Sequence, residues 1–271
     1  MKHIMVAHDL SDKAKIALQR GVQLARQHQA RLSVLYVLED HLPKVVLEKQ
    51  MLVADTLISQ QLLECQAEDA HILIKMGRPA QAIVAAQQAH SVDFLVMGDH
   101  HQDSPEYFSG TTLERVLQRS AVPVLLAVET QMQAYERALV PLDFSLCACH
   151  ALQHVFKLLP DKATIHALHV LEMAEVHGSG NGDDSEISWQ ASLFDQLVQD
   201  ERAKLPEAGP QISHELRQGE LHNCLAQVIA EQQPHVLALG KHGRGILADA
   251  LLGSLAQHFL GSPPCDVLVV K

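Results

Sequence analysis

Long apolar runs, paired cysteines and positive charge are all scarce in this chain of 271 residues. No run approaches the eighteen apolar residues of a membrane-spanning helix, and the opening MKHIMVAHDL places polar His3, His8 and Asp9 where a signal peptide would be apolar. The five cysteines form no CxxC pair, which favours a reducing compartment. A formal charge of −11 disfavours a nucleic-acid partner. These absences predict a cytoplasmic protein with neither a membrane nor a nucleic acid as partner.

What the chain does contain is a duplication of about half its length. The repeated unit has the size of an ordinary domain, so we expect two similar domains, residues 1–129 and 137–271, joined by the polar segment ETQMQAYE. The repeated stretches keep their order: IMVAHDLS (4–11) and ALVPLDFS (138–145), LSVLYVLE (32–39) and TIHALHVLE (164–172), DFLVMGDHH (93–101) and HVLALGKHG (235–243), VPVLLAV (122–128) and CDVLVVK (265–271).

Each half alternates short aliphatic runs with longer helical patterns, which predicts βαβ units and a mostly parallel sheet. The near-continuous apolar strands indicate a sheet covered on both faces, so the fold class is α/β, two similar domains of five strands flanked by helices. Predicted strands lie at 3–8, 32–38, 71–75, 93–98, 123–128, 137–142, 163–170, 212–217, 235–240 and 265–270. Predicted helices lie at 12–28, 44–68, 79–90 and 110–120, with another ending near residue 204.

The stretch LGKHGRGILADALLGSLAQ (239–257) carries the strongest chemical signal. A polyphosphate needs several N–H donors that converge at a helix N-terminus, and glycine lets the backbone approach it without a Cβ. Gly253 and Ser254 open a helical pattern, and Ser254 is suited to cap that helix or to donate its hydroxyl to a phosphate. Lys241 and Arg244 would add cationic side chains as flexible surface partners.

The glycine spacing resembles the ATP-binding signature of the universal stress protein family, G-2x-G-9x-G-(S/T), with Gly240, Gly243, Gly253 and Ser254 in its fixed positions. The motif V-P-x-D at 140–143 and the terminal PCDVLVVK are also typical of that family. Since the likeness covers both halves, the whole chain resembles a tandem member, with the doubly wound, adenine nucleotide alpha hydrolase-like fold that this implies.

The resemblance implies a ligand, ATP or else ADP or AMP, with or without magnesium. It implies that Asp143 hydrogen-bonds the adenosine moiety and that Val170 packs beside adenine. The alternatives are a turn-forming role for Asp143, an unliganded glycine loop, and a solvated charge at Arg244. The expected binding residues are Pro141, Asp143, Val170, Gly240, Gly243, Arg244, Gly253, Ser254 and Leu255.

The first half departs from the signature. Gly98 is kept, but His101 replaces the second glycine, and eight residues rather than nine precede Gly110 and Thr111. A Cβ and an imidazole obstruct close approach of the backbone to a phosphate, so we expect nucleotide mainly in the second domain. Two sets invite a metal interpretation, but packed or solvated side chains are favoured: His100, His101 and Asp103, and Cys147, His150 and His154.

Three functions are weighed. The favoured one is an ATP-binding stress or regulatory protein with slow or no hydrolysis, at most a slow ATPase, because no catalytic set stands out. An adenylate-transferring enzyme is disfavoured, since HIGH, SGGxDS and P-loop signatures are missing. The third is a nucleotide-independent scaffold with relic sites. The apolar last strands predict that the two halves pair as an internal pseudo-dimer, while a homodimer of whole chains and an unidentified protein partner stay open.

Overall fold

The structure of the protein is a computed structural model. It describes residues 1–39, 43–99, 111–172, 184–243 and 252–271. The chain divides into two compact units, the first formed by Met1–Ala134 and the second by most of the residues from Tyr135 onward. Within the described ranges, no helix combines the length and the apolar character needed to cross a membrane.

The first unit is a five-stranded parallel sheet with helices between its strands. Its strands run in the order β3-β2-β1-β4-β5, so the chain reverses direction across the sheet between β1 and β4. The strands are β1 (His3–His8), β2 (Arg31–Leu38), β3 (His71–Met76), β4 (Phe94–Gly98) and β5 (Val124–Ala127). The helices are α1 (Asp12–His28), α2 (Lys44–Glu64), α3 (Pro79–Ala89) and α4 (Thr112–Arg119).

The second unit repeats this arrangement in the order β10-β9-β6-β7-β8, with the reversal between β6 and β9. Its strands are β6 (Arg137–Pro141), β7 (Thr164–Leu171), β8 (Gln211–Gln218), β9 (Val236–Gly240) and β10 (Asp266–Val270). Its helices are α5 (Leu146–Leu158), α6 (Asp184–Ala203), α7 (Leu221–Gln232) and α8 (Ser254–Gly261). Two parallel α/β units of five strands each confirm the predicted fold class.

Burial explains why the central strands could be recognised. Every residue of β1, β4 and β10 is buried, as expected for strands covered by helices on both faces. Helix α1 begins and ends where predicted, because Ser11 caps its first turn and Gln29 leaves it in the left-handed region. Helix α2 ends at Glu64 rather than at residue 68, since Gln66 has a φ of 54° and the helix does not continue through it.

The joint between the units is held at both ends by buried polar groups. Within the first unit, Arg20 is 1% exposed and donates to the carbonyl oxygens of Gln131 at 2.9 Å and Gln133 at 2.8 Å. Within the second, the buried Tyr135 donates its hydroxyl to the buried carboxylate of Asp266. The polar segment predicted at residues 129–136 is therefore anchored to the units that it connects.

Candidate functional site

A cavity of about 330 Å³ lies in the second unit, beyond the carboxyl ends of β6 and β9. These are the two strands between which the chain reverses, the position at which open parallel sheets bind ligands. Its walls come from the end of β6, the end of β7, the segment after β9 and the first turn of α8.

The structure brings together eight of the nine residues that the sequence suggested. The lining includes Pro141, Asp143, Val170, Gly240, Gly243, Gly253, Ser254 and Leu255. Arg244 lies outside the described residues, and so do Gly110 and the possible metal ligands His100, His101 and Asp103.

Asp143 makes a turn that the first unit repeats at Asp9. The Oδ1 atom of Asp143 accepts from the backbone N–H and the hydroxyl of Ser145, at 3.0 and 2.5 Å, and Ser145 caps helix α5. Asp9 does the same for Ser11, at 3.1 and 2.7 Å. The turn-forming role that the sequence left open is thus present in both units, and a ligand role for Asp143 would be added to it.

The residue after each aspartate has a backbone conformation that side chains seldom adopt. Phe144 has a φ of 63°, and its counterpart Leu10 has a φ of 72°. Neither is Asn, Asp or Gly, so the turn costs conformational energy that the surrounding packing must offset. This strained turn directs the aspartate and the following helix to the carboxyl edge of each sheet.

Gly240 is required by packing alone. A Cβ at this position would stand 2.8 Å from the backbone N of Ala148 and the carbonyl carbon of Cys147, in the first turn of α5. Gly98 has the same relation to α1, where a Cβ would stand 2.6 Å from the carbonyl oxygen of Lys13. This shared need accounts for Gly98 in the first half, where the second glycine is replaced by His101 and the spacing differs.

Gly253 has no such requirement among the described residues. Its φ is −62°, which any residue adopts, and the nearest described atom to an added Cβ would be the carbonyl oxygen of Lys241 at 3.4 Å. Gly243 differs again, because a Cβ there would come within 2.7 Å of Oδ2 of Asp143. Of these three glycines, Gly253 is the one whose missing side chain is left unexplained by the fold.

The first turn of α8 faces the cavity without a side-chain cap. Gly253 occupies the N-cap position, so Ser254 is the first helical residue and not the cap that the sequence suggested. The first N–H groups of a helix have no partners within it, and here no side chain satisfies them from the cap position. With Gly253, the residues Ser254, Leu255 and Ala256 line the cavity, so this end of the helix offers donors and a positive dipole end to an anion.

In the equivalent helix of the first unit, α4, side chains of the helix start satisfy the first backbone donors. The Thr111 hydroxyl accepts from the N–H of Glu114 at 3.2 Å, and the Glu114 carboxylate accepts from the N–H of Thr111 at 2.9 Å. This capping box also puts a negative charge where an anion would have to bind. Sequence reasoning missed it, although the spacing T-x-x-E at residues 111–114 is its signature.

The charges around the cavity differ from those expected. Lys241, the residue directly after β9, is only 2% exposed, so the expectation of a flexible surface cation is wrong. Its backbone N–H donates to the carbonyl oxygen of Val270. The ionisable side chains among the described lining residues are the carboxylates of Asp143 and Glu172 and the imidazoles of His169 and His242.

His169 is a lining residue that the sequence reasoning passed over. It is 6% exposed, its Nδ1 lies 2.7 Å from the carbonyl oxygen of Leu142, and its ring packs 4.9 Å from that of Phe144 and 5.4 Å from that of Phe194. Its position in β7 directly before Val170 was the available signal. These contacts fix the imidazole in the wall of the cavity.

Of the possible metal ligands on α5, His150 contacts the end of the chain and His154 is partly buried. Nδ1 of His150 lies 2.8 Å from the carbonyl oxygen of Lys271, and burial lowers the pKa of His154. Among the described residues, no three His, Cys, Asp or Glu side chains are grouped so that they could hold a metal ion.

Comparison with known proteins gives a consistent result. The family model described as the universal stress protein family matches residues 1–127 and again 134–271. A universal stress protein of Methanocaldococcus jannaschii is 26% identical over 155 residues, which is 51% of this chain and 95% of the relative. A universal stress protein A homolog of Haemophilus influenzae is 34% identical over 112 residues, 38% of this chain and 79% of the relative.

Among solved structures, a universal stress protein from Archaeoglobus fulgidus matches with a TM-score of 0.73 at 19% identity, covering 99% of this chain and 96% of that one. At that identity the likeness concerns the fold alone, but it extends over both units.

Proposed function

The chain is a two-domain member of the universal stress protein family, and we propose that it binds an adenine nucleotide in its second unit. ATP is the favoured ligand, with ADP and AMP as the alternatives, and the role would be regulatory or protective under stress. The observation that carries the proposal is the first turn of α8, which is preceded by Gly253, lacks a side-chain cap and faces a cavity at the chain reversal.

The phosphates would be held by backbone groups. The N–H donors at the start of α8, with the hydroxyl of Ser254, would bind phosphate oxygens, and Gly253 would let them approach closely. Arg244 remains a proposed cationic partner. Magnesium bound with the phosphates would offset the negative charge of Asp143 and Glu172 in the lining.

The nucleoside would lie on the side of the cavity formed by β6 and β7. Here Pro141 and Val170 supply apolar surface, and Asp143 would accept a hydrogen bond from the adenosine moiety. The buried imidazole of His169 stiffens this wall through its contact with Leu142. A rigid wall reduces the ordering cost of binding.

Hydrolysis would be slow or absent. Efficient hydrolysis would need a general base that takes a proton from the attacking water. Among the described lining residues, Asp143 already accepts two hydrogen bonds from Ser145, and Glu172 is the other carboxylate. A binding protein fits this arrangement better than an efficient ATPase does.

The second candidate function is a nucleotide-independent scaffold, and the observation that favours it is confined to the first unit. The capping box of Thr111 and Glu114 satisfies by itself the donors that a phosphate would need there. We therefore assign a scaffold role to the first unit. The proposed pairing of the two halves through their last strands predicts a single particle without independent motion of the halves in solution scattering.

The test compares two matched aspartates in the full chain after removal of bound nucleotide. Asp143→Ala and Asp9→Ala each remove the same turn contact to a capping serine, so both should lower the melting temperature similarly. Only Asp143→Ala should weaken the binding of ATP and of adenosine. The expected loss of affinity is about ten- to a hundredfold, because one hydrogen bond to a charged group is lost. Equal ATP affinity in both variants would remove Asp143 from the site. A wild-type chain that binds no adenine nucleotide would favour the scaffold.

A further inference from the structure

Helix α2 of the first unit exposes an unusual amount of apolar surface. Only Ala54, Ile58 and Leu62 are buried along its 21 residues. Seven apolar side chains are at least 37% exposed: Val45, Val46, Met51, Leu52, Val53, Leu57 and Leu63. Isolated exposed apolar residues are ordinary on a protein surface, but a contiguous group on one helix marks an interaction surface.

The most exposed of these residues form a line along the helix. Val45, Leu52 and Leu63 are 78%, 69% and 61% exposed, and they are separated by whole numbers of helical turns. We call this line the α2 seam. It lies away from Ile58 and Leu62, which face the sheet, so the helix is apolar on both sides and its outer side has no cover from the described residues.

The second unit provides an internal comparison, because α6 and β8 occupy in it the place of α2 and β3. There the edge strand is charged: His214 pairs with Asp195 at 2.7 Å, and Arg217 pairs with Glu215 and Glu231. Such charges protect an edge strand from association. The edge strand β3, HILIKM, has one lysine and no acidic residue, and Met76 at its end is 59% exposed. The edge strand of the second unit is thus the more charged of the two, although α6 also exposes two large apolar side chains, Trp189 at 56% and Leu193 at 37%.

The two flanks of the α2 seam carry charges of opposite sign close to the seam. Lys49 lies on one flank, whereas Glu48 and Asp55 lie on the other, together with Lys44 at the start of the helix, as the helical period places them. If two α2 helices pair side by side and in parallel about a twofold axis, the basic flank of each meets the acidic flank of the other. Charges flanking an apolar seam select partner and orientation in this way.

We propose that the α2 seam docks on the same seam of a second copy of this chain, in a parallel and isologous contact. Each side chain of the α2 seam is then covered by its symmetry equivalent, and Glu48 of each copy lies beside Lys49 of the other. A twofold contact is closed, so the assembly stops at a dimer.

The oligomeric state of the full chain tests this proposal. Sedimentation equilibrium should show a dimer for the wild type and a monomer for Leu52→Glu, which puts a charge in the seam. Leu146→Glu is the matched control, because Leu146 is 77% exposed on α5 of the second unit and should leave the dimer intact. Both positions are exposed, so both variants should fold, and thermal melting checks this. A monomeric wild type, or a Leu52→Glu variant as dimeric as the control, would overturn the proposal.

A charge swap tests the identity of the partner. Glu48→Lys and Lys49→Glu alone each place like charges together and should raise the dimer dissociation constant several-fold. The double variant has the wild-type net charge and should restore the dimer. Failure of the double variant to recover would show that the flanks do not meet each other, which contradicts a parallel second copy.

Discussion

At the residue scale, two glycines of one motif are glycine for different reasons. Gly240 makes room for the first turn of α5, whereas nothing in the described fold forbids a side chain at Gly253. A spacing motif in the sequence does not separate these reasons, because both positions are read as one signature. The distinction came from the backbone angle and from the atoms that a Cβ would meet.

Gly253→Val should therefore act on phosphate binding more than on stability. Branched carbons at the helix start would keep phosphate from one or two N–H donors. At about 1.5–3 kcal/mol for each charge-assisted bond, ATP should bind about ten- to several-hundredfold more weakly. Calorimetric titration with ATP measures this loss.

Adenosine and thermal melting are the controls for this variant. Adenosine lacks phosphates and should lose little affinity. The ATP affinity of Gly253→Ala should fall between those of wild type and valine, because alanine adds a Cβ, 3.4 Å from the nearest described atom, without the branches of valine. A valine variant that melts normally and binds ATP as before would exclude a phosphate role for Gly253.

The thiol of Cys149 should be unreactive in the folded protein. Burial, together with the carboxylate of Glu201, raises the pKa of Cys149 to about 11, so the thiolate is scarce at neutral pH. Iodoacetamide should label the more exposed Cys147 on the same helix first, and Cys149 only after unfolding. Peptide mass spectrometry distinguishes the two, and equal labelling of both in the native state would contradict the buried environment.

At the element scale, the two equivalent helices α4 and α8 begin in opposite ways. Helix α4 satisfies its first donors with Thr111 and Glu114, whereas α8 begins after a glycine and leaves them to the cavity. Placing the cap at Gly253 rather than at Ser254 needed the structure, because both residue types occur at helix N-caps.

Removing the box should cost stability without changing nucleotide affinity. Glu114→Ala should lower the free energy of unfolding by about 0.5–2 kcal/mol, as expected for a lost helix cap. Glu114→Gln keeps an acceptor of the same reach and should lose much less. Denaturant unfolding measures both. If the glutamine variant is as unstable as alanine, the box is not what stabilises α4.

The bounds of the elements follow from the sequence where caps and periodicity agree. Helix α1 has Ser11 at its start and Gln29 at its end, and its predicted bounds are correct. The predicted end of α2 lies four residues too late, because the left-handed turn at Gln66 contains no glycine that would mark the end of the helix.

At the scale of the whole molecule, duplication made the fold predictable and hid the difference between its halves. Repeated strand sequences predicted two mostly parallel sheets of five strands, since the alternation of strands and helices indicates βαβ units. Burial of Lys241 and exposure of the α2 seam depend on packing between segments distant in the chain. No local pattern carries that information.

The central claim is that one unit of two binds nucleotide, and the stoichiometry of ATP binding tests it most directly. Calorimetric titration of the full chain, after removal of bound nucleotide, should give one ATP for each chain. The side chains of Thr111 and Glu114 satisfy the first donors of α4, whereas α8 has no side-chain cap. Two equivalent sites for each chain, or no binding, would contradict the account.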